Sequence, residues 1–186
     1  MLASASPRRH QLLADCGLRF DVAPKFGCDE SYPDDMPRCE VAEYLARKKS
    51  EAYPQLLADD EVLITADTIV LLDDVILGKP ADEADACRML AALSGRSHTV
   101  ITGVALRSTS RMHSFSASSR VAFRALTAEE IEYYVREYRP MDKAGAYGIQ
   151  EWVGYVAIEG IEGSFYNVMG LPVQRLYKEL DVFLAE

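Results

Sequence analysis

The sequence is poor in cysteine and histidine, and it lacks a long hydrophobic run. Its four cysteines show no C-x-x-C spacing, and only three histidines are available to complete a metal site with them. A structural zinc site or a disulfide framework is therefore disfavoured, and we expect reduced, mostly buried thiols. No apolar run approaches the roughly 18 to 20 residues that would cross a bilayer. The first ten residues carry their charges after a very short apolar stretch, which is the wrong order for a secretory signal. We therefore expect a cytoplasmic chain with no membrane partner.

The sequence also lacks an excess of positive charge. It has 20 Lys and Arg against 29 Asp and Glu, a formal net charge of -9. Affinity for a nucleic-acid polymer depends on neutralising phosphates with an excess of cations, so a nucleic-acid-binding module is disfavoured. An anionic ligand would have to be met by a local basic cluster.

What is present is ordinary for one globular domain. The chain has 186 residues, of which 49% are hydrophobic and 26% charged, enough to bury a sizeable core. No repeat, low-complexity segment or linker interrupts it, so we expect a single domain over residues 1–186.

Capping residues and stop signals predict five helices. Ser6 as N-cap, Pro7 in the first turn and Gly17 as the stop delimit the first, and a capping box at 127–130 begins the fourth. The helices are expected over residues 7–16, 39–53, 82–93, 127–138 and from 172 onward. The last should bury a stripe formed by Val173, Leu176, Tyr177, Leu180 and Leu184.

Short apolar runs between the helices predict strands. They are expected over residues 62–66, 69–72, 75–77, 99–106, 119–126, 152–158 and 165–169, with the second and third forming a hairpin. Asp67 should lie just after the first of them. The interleaving of strands and helices predicts an α/β fold with a central mixed sheet.

The first candidate site is the segment Ser4-Ala5-Ser6-Pro7-Arg8-Arg9. A strand-to-helix turn here would offer backbone N–H groups, the positive end of a helix dipole and the hydroxyl of Ser6. Arg8 and Arg9 add bidentate cations, and together these groups suit a phosphate. The alternative is a capped helix with two solvated arginines.

Lys49 is the second candidate. On the helix over 39–53 it follows Ala42 and Leu45 at helical spacing, so it projects from the apolar face. A cation directed toward the body of an acidic protein is a plausible ligand for an anion. The alternative is a lysine that extends along the edge of that face into solvent.

The third candidate pairs Asp67 with Lys79. Asp67 in Ala66-Asp67-Thr68 follows a buried strand, and Lys79 in Gly78-Lys79-Pro80 returns after the hairpin. A carboxylate that could hold a metal or deprotonate water, beside a cation for phosphate charge, suits metal-assisted phosphoanhydride hydrolysis. The acidic pair Asp29-Glu30 could complete an oxygen shell for Mg²⁺. The alternative is an aspartate that only caps a turn.

The fourth candidate is the segment from Met141 to Gln150. Its two glycines would let the backbone approach a ligand closely, and Gln150 offers both a donor and an acceptor for the edge of a base. A tight packed loop with a structural glutamine is the alternative.

Taken together, these segments resemble the Maf family of nucleoside triphosphate pyrophosphatases along essentially the whole chain. The residues that carry the resemblance are Ser4-Ala5-Ser6-Pro7-Arg8-Arg9, Ala66-Asp67-Thr68, Gly78-Lys79-Pro80, Leu93-Ser94-Gly95 with His98, 142–150, and Val168-Met169-Gly170-Leu171-Pro172.

The resemblance implies an elongated α/β fold in which two lobes flank a nucleotide-binding cleft. It also implies hydrolysis of a nucleoside triphosphate to the monophosphate and pyrophosphate with a divalent metal, Mg²⁺ or Mn²⁺. By motif, Asp67 matches the catalytic proton acceptor and a metal ligand, and Glu30 matches a second acidic position at the metal. The phosphate-binding positions it implies are Ser6, Arg8, Arg9, Lys49 and Lys79.

Three positions resemble the branch of the family that acts on dTTP and UTP. They are Arg8, Thr68 and Gln150, and a glutamine with a threonine can pair with the imide edge of thymine or uracil. Modified pyrimidine triphosphates are further candidate substrates in a house-cleaning role linked to cell-division arrest. The alternative is a nucleotide-binding regulator of septum formation without significant catalysis. The sequence leaves a homodimer open.

Overall fold

The computed structural model describes residues 1–185, which form two compact units. Unit 1 comprises Met1–Thr68, Thr102–Ala117 and the C-terminal residues from Gly170. Unit 2 comprises Ile69–Ile101 and Ser118–Met169. Within the described chain, no helix has both the length and the apolar character needed to cross a membrane.

Residues 1–185 contain seven α-helices and five strands. The helices are α1 (Pro7–Asp15), α2 (Val41–Ala52), α3 (Glu83–Leu93), α4 (Ala128–Tyr138), α5 (Trp152–Val156), α6 (Phe165–Met169) and α7 (Val173–Ala185). The strands are β1 (Leu63–Leu72), β2 (Val75–Leu77), β3 (Ser97–Arg107), β4 (Met112–Phe123) and β5 (Ile158–Glu162). Single 3₁₀ turns lie at Arg38–Glu40 and Ala144–Ala146.

The five strands form one sheet in the order β2-β1-β3-β4-β5. Strands β1 and β2 are an antiparallel hairpin that pairs Val70 with Leu77, and β4 and β5 are also antiparallel. Leu2 also forms isolated parallel bridges with Val22 and with Ile64. The predicted α/β fold with a central sheet flanked by helices is confirmed.

The predicted helix signals act as expected at several ends. Asp82 accepts a hydrogen bond from the N–H of Asp85 (2.8 Å) and caps α3. Thr127 and Glu130 form the reciprocal capping box that begins α4. Gly17 follows α1 with a φ of 75°, a left-handed conformation that favours glycine.

Unit 2 has a core cluster at helices α3 and α4. Helices α3 and α4 bury Leu90, Leu93, Ile131 and Tyr134 together with Val121 and other strand residues. In unit 1, a smaller cluster gathers Leu63 of β1 with Ala3, Ala23 and Tyr53.

Two predicted strands are helices in the structure. Residues 152–156 form α5, where Gly154 lies so close to Ile149 that an added Cβ would stand 1.7 Å from its carbonyl oxygen. Residues 165–169 form α6, which begins where the N–H of Asn167 bonds to the hydroxyl of Ser164 (3.3 Å). Both segments are rich in aromatic and β-branched residues, so composition favoured strands, whereas a close backbone contact and a serine cap set the local conformation.

Two further expectations are corrected. The inner face of α7 is formed by Val173, Leu176 and Phe183, whereas Tyr177 and Leu184 are more than half exposed. The helical repeat of three and four residues from Leu176 leads to 180 and 183 rather than 177 and 184. The cysteines are unpaired as expected but not mostly buried, because Cys39 is exposed and the others are half-buried.

Candidate active site

The central feature of unit 1 is the packing of α2 against β1. Side chains of a strand alternate between its faces, so Thr65 and Asp67 lie on one face, and residues three apart on a helix share a side. The hydroxyl of Thr65 donates to the carbonyl oxygen of Ala46 (2.7 Å). One turn further along α2, the ammonium of Lys49 donates to Asp67. The buried bond at Thr65 therefore sets the register that pairs Lys49 with Asp67.

A glycine of β3 lets α2 approach the sheet this closely. A Cβ on Gly103 would lie 2.3 Å from backbone atoms of Ala42 and Glu43. No side chain fits in that space, so the backbone of α2 rests directly on β3. This contact adds to the bond at Thr65 in fixing the helix that carries Lys49.

Lys49 lies between two carboxylates. Besides Asp67, its Nζ reaches Oε1 of Glu30 at 2.9 Å. The side chains of Lys49 and Asp67 are largely buried, whereas that of Glu30 is 53% exposed. Burial disfavours the ammonium, but attraction to Asp67 and Glu30 outweighs it and raises the pKa of Lys49. The lysine is therefore a permanent cation beside Asp67.

Asp67 lies inside β1 rather than after a strand, because β1 continues from Leu63 to Leu72 without a break. The guanidinium of Arg9 supports this strand on both sides of the aspartate. Its Nη1 donates to the carbonyl oxygen of Ala66 (2.8 Å), and its Nη2 donates to the hydroxyl of Thr68 (2.9 Å). Its Nε donates to the carbonyl oxygen of Gly170 (2.7 Å). Arg9 thus fixes the backbone that presents Asp67, a role that was not predicted from the sequence.

The pKa of Arg9 is lowered, first by burial and also by the neighbouring charge of Arg8, while Asp67 and Glu30 oppose the shift. Arg8 and Ser6 lie at the beginning of α1, as predicted. The hydroxyl of Ser6 does not cap the helix, although its carbonyl oxygen accepts the N–H of Arg9 (3.1 Å). The turn is therefore closed by backbone bonds, without the side chain of Ser6.

The loop that carries Glu30 is held by the lysine next to Lys49. Nζ of Lys48 donates to Oδ2 of Asp29 and to the carbonyl oxygen of Ser31, each at 2.8 Å. Asp29 also accepts the N–H of Ser31 (3.0 Å), which closes a short turn around Glu30. These bonds keep the carboxylate of Asp29 ionised by lowering its pKa, the bond from Lys48 contributing most. Consecutive lysines of α2 therefore bind Glu30 and the residues that flank it.

Two predicted site residues belong to unit 2. Lys79 is exposed in the turn after β2. The carbonyl oxygen of the preceding Gly78 accepts the N–H of Gly145 (3.0 Å), so this turn is tied to the segment that ends at Gln150. Within unit 2, the structure therefore joins the segments that carry Lys79 and Gln150.

A buried polar network lies next to Gln150. Nζ of Lys143 contacts Asp142 (2.8 Å) and Glu151 (3.1 Å), and the hydroxyl of Tyr134 donates to Glu151 and accepts the N–H of Gly148 (3.0 Å). Burial, and then the bond to Glu151, raise the pKa of Tyr134, so it remains a phenol. Lys143, Glu151 and Tyr134 were not predicted as a group. Their only signal was a tyrosine on the inner face of the predicted helix over 127–138.

Gln150 itself has an unusual acceptor. Its Oε1 is buried and has no hydrogen-bond partner within residues 1–185. A buried acceptor left without a donor costs free energy, and a ligand that brings an N–H would recover it. Gln150 is therefore suited to accept a hydrogen bond from a ligand.

Candidate metal ligands in unit 1 are the carboxylates of Asp67 and Glu30. No group of three or more His, Cys, Asp or Glu side chains within residues 1–185 is arranged to hold a metal ion. Mg²⁺ is commonly held by one or two carboxylates together with substrate phosphates and water. Asp67 and Glu30, which both contact the ammonium of Lys49, supply two hard oxygen donors, the number that such a Mg²⁺ site uses.

Comparison with known proteins finds a family and relatives that match nearly the whole chain. The model of the family described as "Maf-like protein" matches residues 1–183. A protein of Parabacteroides distasonis is 54% identical over 183 residues, covering 98% of this chain and 95% of its own length. One of Phocaeicola vulgatus is 53% identical over 180 residues, covering 97% and 93%. One of Porphyromonas gingivalis is 52% identical over 185 residues, covering 98% and 93%. All three are named dTTP/UTP pyrophosphatase.

Proposed function

Since the chain belongs to the Maf family, we propose that it hydrolyses dTTP and UTP to the nucleoside monophosphate and pyrophosphate. The observation that carries the proposal is the Lys49 ammonium held between Asp67 and Glu30. It places a carboxylate, a second carboxylate and a permanent cation together, as hydrolysis of a phosphoanhydride requires. The enzyme would act in the cytoplasm as one domain over residues 1–186, alone or as a homodimer.

In this proposal Asp67 accepts the proton of the attacking water. The aspartate is fixed by Lys49 on one side and by the bonds of Arg9 to Ala66 and Thr68. A base that does not have to reorganise lowers the entropic part of the barrier. The water attacks the α-phosphorus, the bond to the bridging oxygen breaks, and pyrophosphate leaves.

A divalent cation, Mg²⁺ or Mn²⁺, would be held by Asp67 and Glu30. When bound, it would neutralise charge that develops on the phosphate oxygens and leaving group. Lys49 supplies a fixed positive charge at the same carboxylates, and the turn held by Lys48 keeps Glu30 in reach.

The remaining cations are proposed phosphate ligands, namely Arg8, Arg9 and Lys79 in addition to Lys49, with the hydroxyl of Ser6. Arg9 would have to exchange one of its internal acceptors for a phosphate oxygen, since Gly170, Ala66 and Thr68 all accept from it. Lys79 is exposed and can turn toward a ligand without losing a contact to the core.

Base selection is assigned to Gln150 with Thr68 and Arg8. The unpartnered Oε1 of Gln150 can accept the N3–H of thymine or uracil, and its amide N–H₂ can donate to the C4 carbonyl. Adenine lacks an N–H donor beside a carbonyl, and guanine offers the same pattern, N1–H beside the C6 carbonyl, only on a larger ring system, so pyrimidine triphosphates are the preferred class of substrate.

The test measures release of pyrophosphate from dTTP, UTP, CTP, GTP and 7-methyl-GTP, with Mg²⁺ or Mn²⁺ and with a chelator. We expect metal-dependent turnover that is fastest on dTTP and UTP. Preference for another nucleotide would contradict the base assignment but leave the hydrolytic role of Asp67. Nucleotide binding without turnover would contradict the enzymatic proposal and favour a regulator.

A further inference from the structure

The orientation of the Gln150 amide decides which base it can pair with. An amide side chain presents an oxygen and an N–H₂ group that exchange places on a half-turn. Thymine and uracil offer an N3–H donor beside a carbonyl acceptor, whereas cytosine offers an N3 acceptor beside an amino donor. One orientation therefore pairs with thymine and uracil, and the other pairs with cytosine. A residue that fixes the orientation of the amide would therefore determine which base Gln150 pairs with.

Glu151 lies where it can fix the orientation of the Gln150 amide. Oε2 of Glu151 and Nε2 of Gln150 lie 3.0 and 3.1 Å from the same point, which is where a Cβ on Gly148 would stand. Both groups therefore lie over the backbone of Gly148, which carries no side chain that would separate them. A carboxylate attracts the amide N–H₂ group and repels the amide oxygen, so it stabilises the orientation with Nε2 on its side. Oε1 is then the atom left without a partner.

The carboxylate of Glu151 is itself held in place. Its Oε1 lies 3.1 Å from Nζ of Lys143, and its Oε2 accepts from the hydroxyl of Tyr134. Lys143 and Tyr134 are 7% and 1% exposed. The same hydroxyl accepts the N–H of Gly148, so the backbone under the two side chains is fixed by the same group. The position of Glu151 is therefore determined by buried neighbours.

We propose that Glu151 is a positioning residue that orients the amide of Gln150 and thereby selects thymine and uracil over cytosine. The inference rests on the proposed function, in which Gln150 contacts the base. In this orientation Oε1 accepts from N3–H of thymine or uracil. Cytosine would set its N3 lone pair against Oε1, two acceptors facing each other without a proton.

The direct test is Glu151→Gln, which keeps the shape of the side chain and removes its charge. We expect the ratio of kcat/KM for dTTP over dCTP to fall about tenfold, the equivalent of about 1.4 kcal/mol. The fall should come from a higher KM for dTTP and a higher kcat/KM for dCTP, with kcat for dTTP little changed. The matched control is Glu159→Gln, which removes an exposed charge from β5 in the same unit and should leave the ratio unaltered.

Two further variants separate positioning from general loss of structure. Tyr134→Phe removes one bond to Glu151 and keeps the buried ring, so it should shift the ratio in the same direction by a smaller factor. In the background of Gln150→Ala, Glu151→Gln should have no further effect on the ratio, because the group on which it acts is gone. Equal losses for both nucleotides, or an independent effect in that background, would overturn the inference.

The affinities of the products keep this test separate from the proposed function. The ratio of Kd values for dTMP and dCMP reports base selection without turnover, and Glu151→Gln should move it as it moves kcat/KM. A wild-type protein that prefers dTMP but releases no pyrophosphate from dTTP would contradict the proposed activity alone. A wild-type preference that Glu151→Gln leaves intact would contradict the positioning role alone.

Discussion

Two lysines of this protein, one in each unit, lie between two carboxylates. Lys49 in unit 1 lies between Asp67 and Glu30, and Lys143 in unit 2 lies between Asp142 and Glu151. The charges are the same, but the surroundings differ. Each lysine has one largely buried carboxylate partner, Asp67 or Glu151, and one partner that is more than half exposed, Glu30 or Asp142. The difference is that Glu151 also accepts a hydrogen bond from the hydroxyl of Tyr134.

This difference distinguishes a cluster that can take part in a reaction from a cluster that supports the structure around it. In unit 1 the exposed carboxylate can exchange its lysine for another cation at little cost, because water replaces the contact that is lost. In unit 2 the carboxylate of Glu151 is held by the ammonium of Lys143 and the hydroxyl of Tyr134 together, so it is less available to a new cation. The Lys49 cluster can therefore take part in chemistry, whereas the Lys143 cluster holds the segment that carries Gln150.

The largest expected effect is on turnover, in unit 1. Asp67→Asn removes the proposed proton acceptor and keeps the shape of the side chain, so pyrophosphate release from dTTP should fall by about 10²–10⁴-fold. The same substitution beside the other lysine, Asp142→Asn, should cost less than about tenfold. Thermal unfolding of both variants checks that the fold is retained. Equal losses at the two positions would remove the functional distinction between the clusters.

The second effect is on stability and should be of similar size in the two units. Lys143→Met leaves Glu151, and Lys49→Met leaves Asp67, largely buried without a cation, and breaking a buried pair costs about 3–5 kcal/mol. The two variants should differ in turnover, which Lys49→Met lowers more. Urea unfolding, monitored by circular dichroism, and pyrophosphate release from dTTP provide the comparison. Equal losses of turnover in the two variants would contradict the separation of roles.

The third effect is a dependence of stability on pH that arises in unit 2. Burial lowers the pKa of His98 to about 4, from 6.5. Below pH 6.5 the unfolded chain binds a proton at His98 that the folded chain does not bind until about pH 4. The free energy of unfolding should therefore fall by about 3 kcal/mol over that window, at about 1.4 kcal/mol per pH unit.

A variant identifies the source of that slope. His98→Gln should flatten the fall between pH 6.5 and 4.5, measured by urea unfolding at fixed pH values. The carboxylate of Asp29 in unit 1 has a lowered pKa, so its stabilising effect is lost only below its ordinary value of 3.8. A slope that persists in His98→Gln above pH 4.5 would exclude the histidine as its cause.

The sequence predicted the fold best where the signals are local. The capping box at Thr127 and Glu130 and the glycine after α1 lie where expected, because caps depend on only a few neighbouring residues. Residues 152–156 and 165–169 were wrongly predicted as strands. Their composition favours strands, but contacts of Gly154 with Ile149 and of Asn167 with Ser164 decide the outcome.

At the candidate site, too, local patterns predicted some residues, whereas contacts between distant parts of the chain were missed. Lys49 was found from helical spacing, and its contact with Asp67 agrees with that spacing. The bonds of Arg9 to Ala66 and Gly170 join positions far apart in the chain, and no local pattern marks an arginine for that role. The group around Lys143 escaped prediction for the same reason, since Tyr134 reaches it from a different helix.

The fourth effect concerns how unit 1 places its lysine. Gly103→Ala would put a Cβ 2.3 Å from the backbone of α2, so the helix that carries Lys49 has to move. We expect a loss of about 1–3 kcal/mol in stability and a fall in turnover at saturating dTTP. The control is Gly160→Ala, where an added Cβ meets no atom within 4 Å. Unchanged turnover in Gly103→Ala would show that the position of α2 is not critical.

The smallest effect on stability is expected at Lys48, whose contacts are exposed. Lys48→Met removes the bonds to Asp29 and Ser31, and an exposed ion pair of this kind adds little to stability because solvent screens it. The turn around Glu30 would lose its tether, so a proposed metal ligand would be less well placed. We therefore expect the Mg²⁺ concentration for half-maximal turnover to rise, while kcat at saturating Mg²⁺ changes little. Lys48→Arg should restore much of the wild-type requirement, because a guanidinium can bond to the same oxygens. An unchanged Mg²⁺ requirement in Lys48→Met would show that the bonds of Lys48 are not needed to position Glu30.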